Sequence, residues 1–119
     1  MTGREKAGDR LLQNGWMEET RAFVPRVHCM TNYVTINDVA NIILAAGGSP
    51  VMAEEKEEVE EITAGCDCLM LNIGTLQKRK REAMILAGKK ANEMGHPVIF
   101  DPVGAGSSRF RTETASRIM

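Results

Sequence analysis

Short apolar runs alternate along this chain with segments whose apolar residues recur at helical spacing, and that alternation restricts the fold to a parallel α/β sheet. Four runs, at residues 23–30, 49–53, 66–73 and 97–100, are expected as strands. Between the first two, Ile36, Val39, Ala40, Ile43 and Leu44 fall at i, i+3, i+4, i+7 and i+8, the stripe of a helix lying on a sheet, and Gly47-Gly48 ends it. Before the last run, Ala83, Met84, Ala87, Ala91 and Met94 make the buried face of a long helix that stops at Gly95. Strands separated by helices require crossovers, which are right-handed. The run at 97–100 has the pattern of a strand buried on both faces, placed at or near a sheet edge.

The flanks are less regular. Residues 1–21 are polar, with a weak helical face from Leu11, Leu12 and Trp16 that Gly15 interrupts. At the other end a helix is expected to begin at 112–114, with the Thr112 hydroxyl as its cap, yet the sequence stops at Met119. The expectation is a truncated chain, residues 1–119 forming a single partial domain.

Composition excludes several function classes. Fifteen basic residues meet sixteen acidic ones, a net charge of −1, and no basic run is interleaved with aromatics, so nucleic acid is not expected as a partner. No stretch has the length of a membrane span and the charged N-terminus lacks a signal-peptide core, so no membrane partner is expected either. Three cysteines in no disulfide-like framework fit a reducing, cytoplasmic setting. The glutamate-rich stretch 54–61 and the basic run Lys78-Arg79-Lys80-Arg81 are expected to be solvated helix faces. Cys29, Cys66 and Cys68 lack zinc-site spacing and are expected to pack as small hydrophobes. His28 is expected as a satisfied core histidine and His96 as a surface loop residue.

Chemistry concentrates where the strands end. Thr31-Asn32, residues 72–75 and residues 101–106 each follow a run and can share one rim, the place where open α/β sheets bind ligands. Asp101 stops the last run at a charge, and Pro102, Gly104 and Gly106 turn the chain behind it. Two readings stand: an ordinary junction capped by an aspartate, or a site in which Asp101 holds hydrated Mg²⁺ and the glycine loop offers N–H groups to phosphate. A Walker A string is missing, and the Gly104-Ala105-Gly106 loop lacks the third glycine of a dinucleotide fingerprint.

Residues 27–41 (VHCMTNYVTINDVAN), 47–53 (GGSPVMA), 71–76 (LNIGTL), 101–106 (DPVGAG) and 110–114 (FRTET) together closely resemble the hydroxyethylthiazole kinase family, in order and over nearly the whole chain. The resemblance implies a ribokinase-like three-layer α/β fold with a mostly parallel sheet, of which the N-terminal part is present. It also implies ATP- and Mg²⁺-dependent phosphorylation of the hydroxyl of 4-methyl-5-(2-hydroxyethyl)thiazole in thiamine salvage, by a homotrimer with the thiazole at a subunit interface. By position, Met52 matches a thiazole-binding methionine, Asn32 an asparagine of the active-site rim, and Asp101 a Mg²⁺ partner. Family chains are longer, and the part without a match here carries the Arg and Thr that bind ATP, a glutamate that assists Mg²⁺ and a Gly-Thr-Gly-Cys segment with the catalytic cysteine. The resemblance therefore assigns no catalytic residue within this chain. The alternative is a noncatalytic fragment or split half that needs a partner chain.

Overall fold

The computed structural model describes residues 15–119, so the expected contribution of Leu11 and Leu12 lies outside the described residues. In chain order the elements are α1 (Trp16–Phe23), β1 (Arg26–Met30), α2 (Ile36–Ala46), β2 (Ser49–Met52), α3 (Val59–Ala64), β3 (Cys68–Asn72), α4 (Lys78–Met94), β4 (Val98–Asp101) and α5 (Arg109–Ile118). The four strands form one parallel sheet in the order β2-β1-β3-β4. All their carboxyl ends therefore lie on one edge.

That order contains a reversal. The chain steps from β1 outward to β2, then crosses back over β1 to reach β3, and continues outward to β4. Right-handed crossovers then put α2 on one face of the sheet and α3 and α4 on the other. The packing agrees: α4 lies against α3, α5 and β3, while α2 lies against β2 and α1. The reversal opens a crevice between β1 and β3 at the carboxyl edge, the switch point of a doubly wound sheet.

Apolar burial is lopsided. Leu69 and Leu71 on β3, Met30 on β1 and Ile73 face Val59 of α3 and Ala83, Met84, Ala87 and Ala91 of α4, with Ala115 of α5 closing the cluster. Small alanines let α4 approach the sheet closely, so the large β-strand side chains fill the space between layers. His28 belongs to this face, in register with Leu69. Its Nε2–H donates to the Ala53 carbonyl at 2.9 Å, because a carbonyl only accepts, and Nδ1 therefore accepts from the Thr63 hydroxyl at 2.8 Å. The satisfied core histidine is thus present, and it ties β1 to α3.

Several sequence expectations change. Phe23 and Val24 do not open β1; Phe23 ends α1, Val24 takes a left-handed conformation (φ 53°) that terminates it, and Pro25 separates the two elements. The α2 stripe is only half-buried and Leu44 is 57% exposed, because α2 packs chiefly on β2, the outermost strand at that end of the sheet. Met94, the last residue of α4, is exposed rather than part of the buried face. The edge position of β4 holds, but its burial on both faces does not. Phe100 packs on the core, whereas Ile99 is 67% exposed, since no described helix covers β4 on that face. The last helix is capped four residues earlier than expected: Ser108, not Thr112, is the cap, its hydroxyl accepting from the Arg111 N–H at 3.1 Å. His96 is half-buried in the turn between α4 and β4. Cys66 and Cys29 are buried and Cys68 is half-buried, and burial pushes the Cys29 thiol up to about 11, so these cysteines are packing groups.

Burial holds the His28 imidazole below its ordinary value of 6.5. The unfolded chain then binds a proton more readily than the folded one, so this group's contribution is intact above pH 6.5 and is lost as pH falls through that value. Thermal unfolding between pH 8 and 5 is expected to show Tm falling below pH 6.5, with a shallower fall in His28→Gln. Equal slopes in the two proteins would assign the pH dependence elsewhere.

Candidate functional site

Three strand ends meet at the carboxyl edge through a line of side-chain hydrogen bonds. Asn32, just past β1, donates through Nδ2 to Asn72 Oδ1 at 2.9 Å; Asn72, the last residue of β3, donates through Nδ2 to Asp101 Oδ2 at 3.1 Å. The backbone fixes the sense of this line. Val34 N–H and Thr35 N–H both donate to Asn32 Oδ1, at 3.0 and 3.1 Å, so that oxygen must face its own turn and the amide nitrogen must face Asn72. Gly74 N–H likewise donates to Asn72 Oδ1 at 2.9 Å, which turns the Asn72 nitrogen toward Asp101. The line ends on a group that only accepts, a carboxylate. Asp101 is exposed and stands opposite Asn72 in the β3–β4 register.

The Asn32–Asn72 bond crosses the switch point between β1 and β3. Its surroundings are tight. Tyr33 N–H donates to Thr75 Oγ1 at 3.1 Å, and Thr75 holds a left-handed backbone (φ 31°) that a β-branched residue adopts only under strain. A Cβ on Gly74 would lie 2.7 Å from the Asn32 side chain, so glycine is what allows the two loops to touch.

A cavity of about 290 Å³ lies toward the β2 end of the same edge. Cys29, Ile36, Met52 and Ala53 give it an apolar floor, and Thr31, Tyr33 and Glu54 stand at its wall. Met52 and Cys29 are register partners and so share the face that α2 covers. Glu54 is not the solvated glutamate expected from composition: it accepts from the Tyr33 hydroxyl at 2.9 Å and pairs with Lys80 at 3.5 Å. That bond and the Glu54 charge raise the Tyr33 phenol above its ordinary 10.0. The rest of the stretch conforms, with Glu55 on the surface paired to Arg79 at 2.9 Å.

The sequence-derived site residues thus divide. Asn32 and Asp101 are joined through Asn72. Across the sheet Met52 lies three strand spacings from Asp101, about 14 Å at about 4.8 Å each, and the register sets it level with Ile99, two residues before Asp101. Asn72 belongs to the 72–75 strand end expected on the rim, whereas Tyr33 was not singled out by sequence, and Lys80, expected on a solvated basic face, is buried. The glycine loop is not the expected phosphate nest: the N–H groups of Ala105, Gly106 and Ser107 already donate to Pro102 O, Thr112 Oγ1 and Gly104 O. Arg111 braces this loop from α5, donating to the Val103 carbonyl at 2.9 Å and to the Ile73 carbonyl. No group of three His, Cys, Asp or Glu side chains converges for a metal among the described residues. A Mg²⁺ carried by phosphates needs only one or two carboxylates, however, and an exposed, oriented Asp101 fits that smaller demand.

A parallel doubly wound sheet with a polar switch-point rim and an adjoining apolar cavity has the architecture of the α/β proteins whose ligand sites lie at the carboxyl edge of the sheet. Residues 17–119 match the hydroxyethylthiazole kinase family, and the chain belongs to it. It is 53% identical over 103 residues to a hydroxyethylthiazole kinase of Desulfovibrio desulfuricans and 56% identical over 103 residues to one of Ruminiclostridium cellulolyticum. Each alignment covers 87% of this chain, and 36% and 38% of those relatives respectively. The solved structure of a hydroxyethylthiazole kinase protein from Pyrococcus horikoshii OT3 superposes with a TM-score of 0.83 at 45% identity, covering 86% of this chain and 40% of that one. The chain thus spans well under half the length of these relatives, and its sheet is consistent with part of a ribokinase-like fold. No described helix is long and apolar enough to cross a membrane.

The contact between Gly74 and Asn32 is directly testable. Gly74→Ala is expected to cost about 1–3 kcal/mol and to move the Asn32 side-chain amide signals in NMR spectra. Asn32→Ala should relieve much of that cost, so the double variant should lose less than the two single losses added. Strict additivity would contradict the tight contact.

Proposed function

We propose that residues 1–119 form the thiazole-side part of an ATP-dependent kinase that phosphorylates the hydroxyl of 4-methyl-5-(2-hydroxyethyl)thiazole in thiamine salvage. The observation that carries this reading is the shared rim, which puts an apolar cavity at one end and a hydrogen-bonded carboxylate at the other. An uncharged aromatic ring suits the Met52 cavity, with the thioether and Ile36 against its faces. The hydroxyethyl arm then runs along the rim toward Asn32, and the phosphates of ATP approach from the β4 end. Asn32 and Asn72 orient Asp101 and offer amide groups along that path. Mg²⁺, when bound to ATP, supplies positive charge against the phosphoryl oxygens, and Asp101 is the residue that would hold it.

By itself the chain is proposed to be noncatalytic. Deprotonating the alcohol needs a base placed at the hydroxyl, and the carboxylates along the proposed path already have partners, Glu54 in the Tyr33 hydroxyl and Lys80, Asp101 in Asn72 and in the metal role proposed for it. The reading includes a cytoplasmic setting and a homotrimer, the latter supported by the exposed Ile42 and Leu44 on α2, the helix that also contributes Ile36 to the cavity.

Three measurements test this. ATP- and Mg²⁺-dependent phosphorylation of the thiazole alcohol by the isolated chain would overturn the noncatalytic reading. In the complete enzyme, Asp101→Asn is expected to lower kcat on the order of 10²-fold with an altered Mg²⁺ dependence. Met52→Arg should chiefly raise KM for the thiazole, by about tenfold or more. An Asp101→Asn enzyme with unchanged turnover and Mg²⁺ response would return that residue to a structural role.

A further inference from the structure

Lys80 is the residue whose placement departs furthest from its composition. It sits in the first turn of α4, inside a run of four basic residues, yet it is only 2% exposed. A cation at a helix N-terminus opposes the macrodipole, and a buried cation has lost its water. Three partners offset this: the Thr31 carbonyl, to which the ammonium donates; the Glu54 carboxylate at 3.5 Å; and the Tyr33 ring, whose centroid is 4.5 Å away.

All three partners stand in the wall of the Met52 cavity, although Lys80 itself does not line it. Thr31 and Tyr33 leave β1, Glu54 follows β2, and Lys80 approaches from α4 on the core side of the sheet. Tyr33 and Glu54 are further joined by their own hydrogen bond. Thr31 also directly precedes Asn32, so the carbonyl held by Lys80 sets the exit of the strand from which the Asn32–Asn72–Asp101 line departs. Were Lys80 only an anchor for α4, an apolar side chain of equal length would fill the position without a buried charge to compensate.

We propose that Lys80 is a positioning residue of the ligand site: its buried ammonium clamps the β1 and β2 exits together and so sets the shape of the cavity and the direction of Asn32. This rests on the reading of the cavity as the thiazole site. Lys80 touches no ligand itself, and it acts through Thr31, Tyr33 and Glu54.

The test uses the full chain carrying Lys80→Met, Lys80→Arg or Glu54→Gln, with two readouts. One is calorimetric binding of 4-methyl-5-(2-hydroxyethyl)thiazole; the other is amide hydrogen exchange at Tyr33, Val34 and Thr35 compared with Leu69 and Leu71 in the core. Lys80→Met is expected to weaken binding about tenfold or more and to speed exchange at the three rim amides while the core pair stays protected. Glu54→Gln should move both readouts the same way by less, and Lys80→Arg should restore most of the loss. Unchanged binding and rim exchange in Lys80→Met overturn the proposal, as does exchange that rises equally at rim and core, which marks a purely structural lysine. Should Lys80→Met fail to fold, unchanged binding in both Glu54→Gln and Tyr33→Phe overturns it instead. Absence of thiazole binding by the unsubstituted chain refutes the functional reading, and the rim exchange then still decides whether Lys80 holds the two exits.

Discussion

The directed hydrogen-bond line from Asn32 through Asn72 to Asp101 is the constraint on which the rest of the site depends. Its direction is set by backbone N–H groups at Val34, Thr35 and Gly74, which cannot reverse their roles. Each side-chain amide therefore has one orientation that satisfies all its neighbours. The consequence is a carboxylate whose position is fixed by three strands rather than by its own loop. A parallel sheet makes this possible, because only parallel strands bring all four carboxyl ends to one edge.

The two faces of β1 do different work. On the core face, His28 and Met30 join a cluster sealed by α3, α4 and α5, and the histidine's polar atoms are satisfied inside it. On the other face, Cys29 contributes to the floor of the cavity beneath Met52 and α2. The carboxyl end then leads directly into Thr31, Asn32 and Tyr33. One strand thus couples core packing, cavity shape and the polar rim, and Lys80 reaches its exit from the core side. Strain at Thr75 and the close approach of Gly74 to Asn32 mark where the β1 and β3 exits are forced together.

Much of this was legible in the sequence, and the misses have physical reasons. Run lengths and helical stripes located every described strand and the long helices, and strand ends drew attention to Asn32, residues 72–75 and Asp101, whereas Met52 was singled out only by the resemblance to the hydroxyethylthiazole kinase family. Neighbour relations are set by crossovers rather than by local pattern, so the pairing of Asn72 with both Asn32 and Asp101 required the β2-β1-β3-β4 order. Lys80 was hidden by its basic neighbours, although a signal existed: with Ala83, Met84, Ala87 and Ala91 it falls on the buried stripe of α4, at i, i+3, i+4, i+7 and i+11. Phe23 was misplaced because an apolar run was counted across Pro25. The glycine loop promised free N–H groups, but loop composition does not reveal that Thr112 and the loop's own carbonyls already accept from them.

The central claim is that one rim carries a metal-holding end at Asp101 and a ring-holding end at Met52. Paramagnetic broadening of amide signals by Mn²⁺ in the presence of ATP measures this directly, because the effect falls steeply with distance. The account predicts the strongest broadening at Asp101 and Asn72, weaker broadening at Asn32, and little at Met52 and Ala53. Broadening centred on the glutamates at 54–61, with Asp101 and Asn72 unaffected, would contradict it.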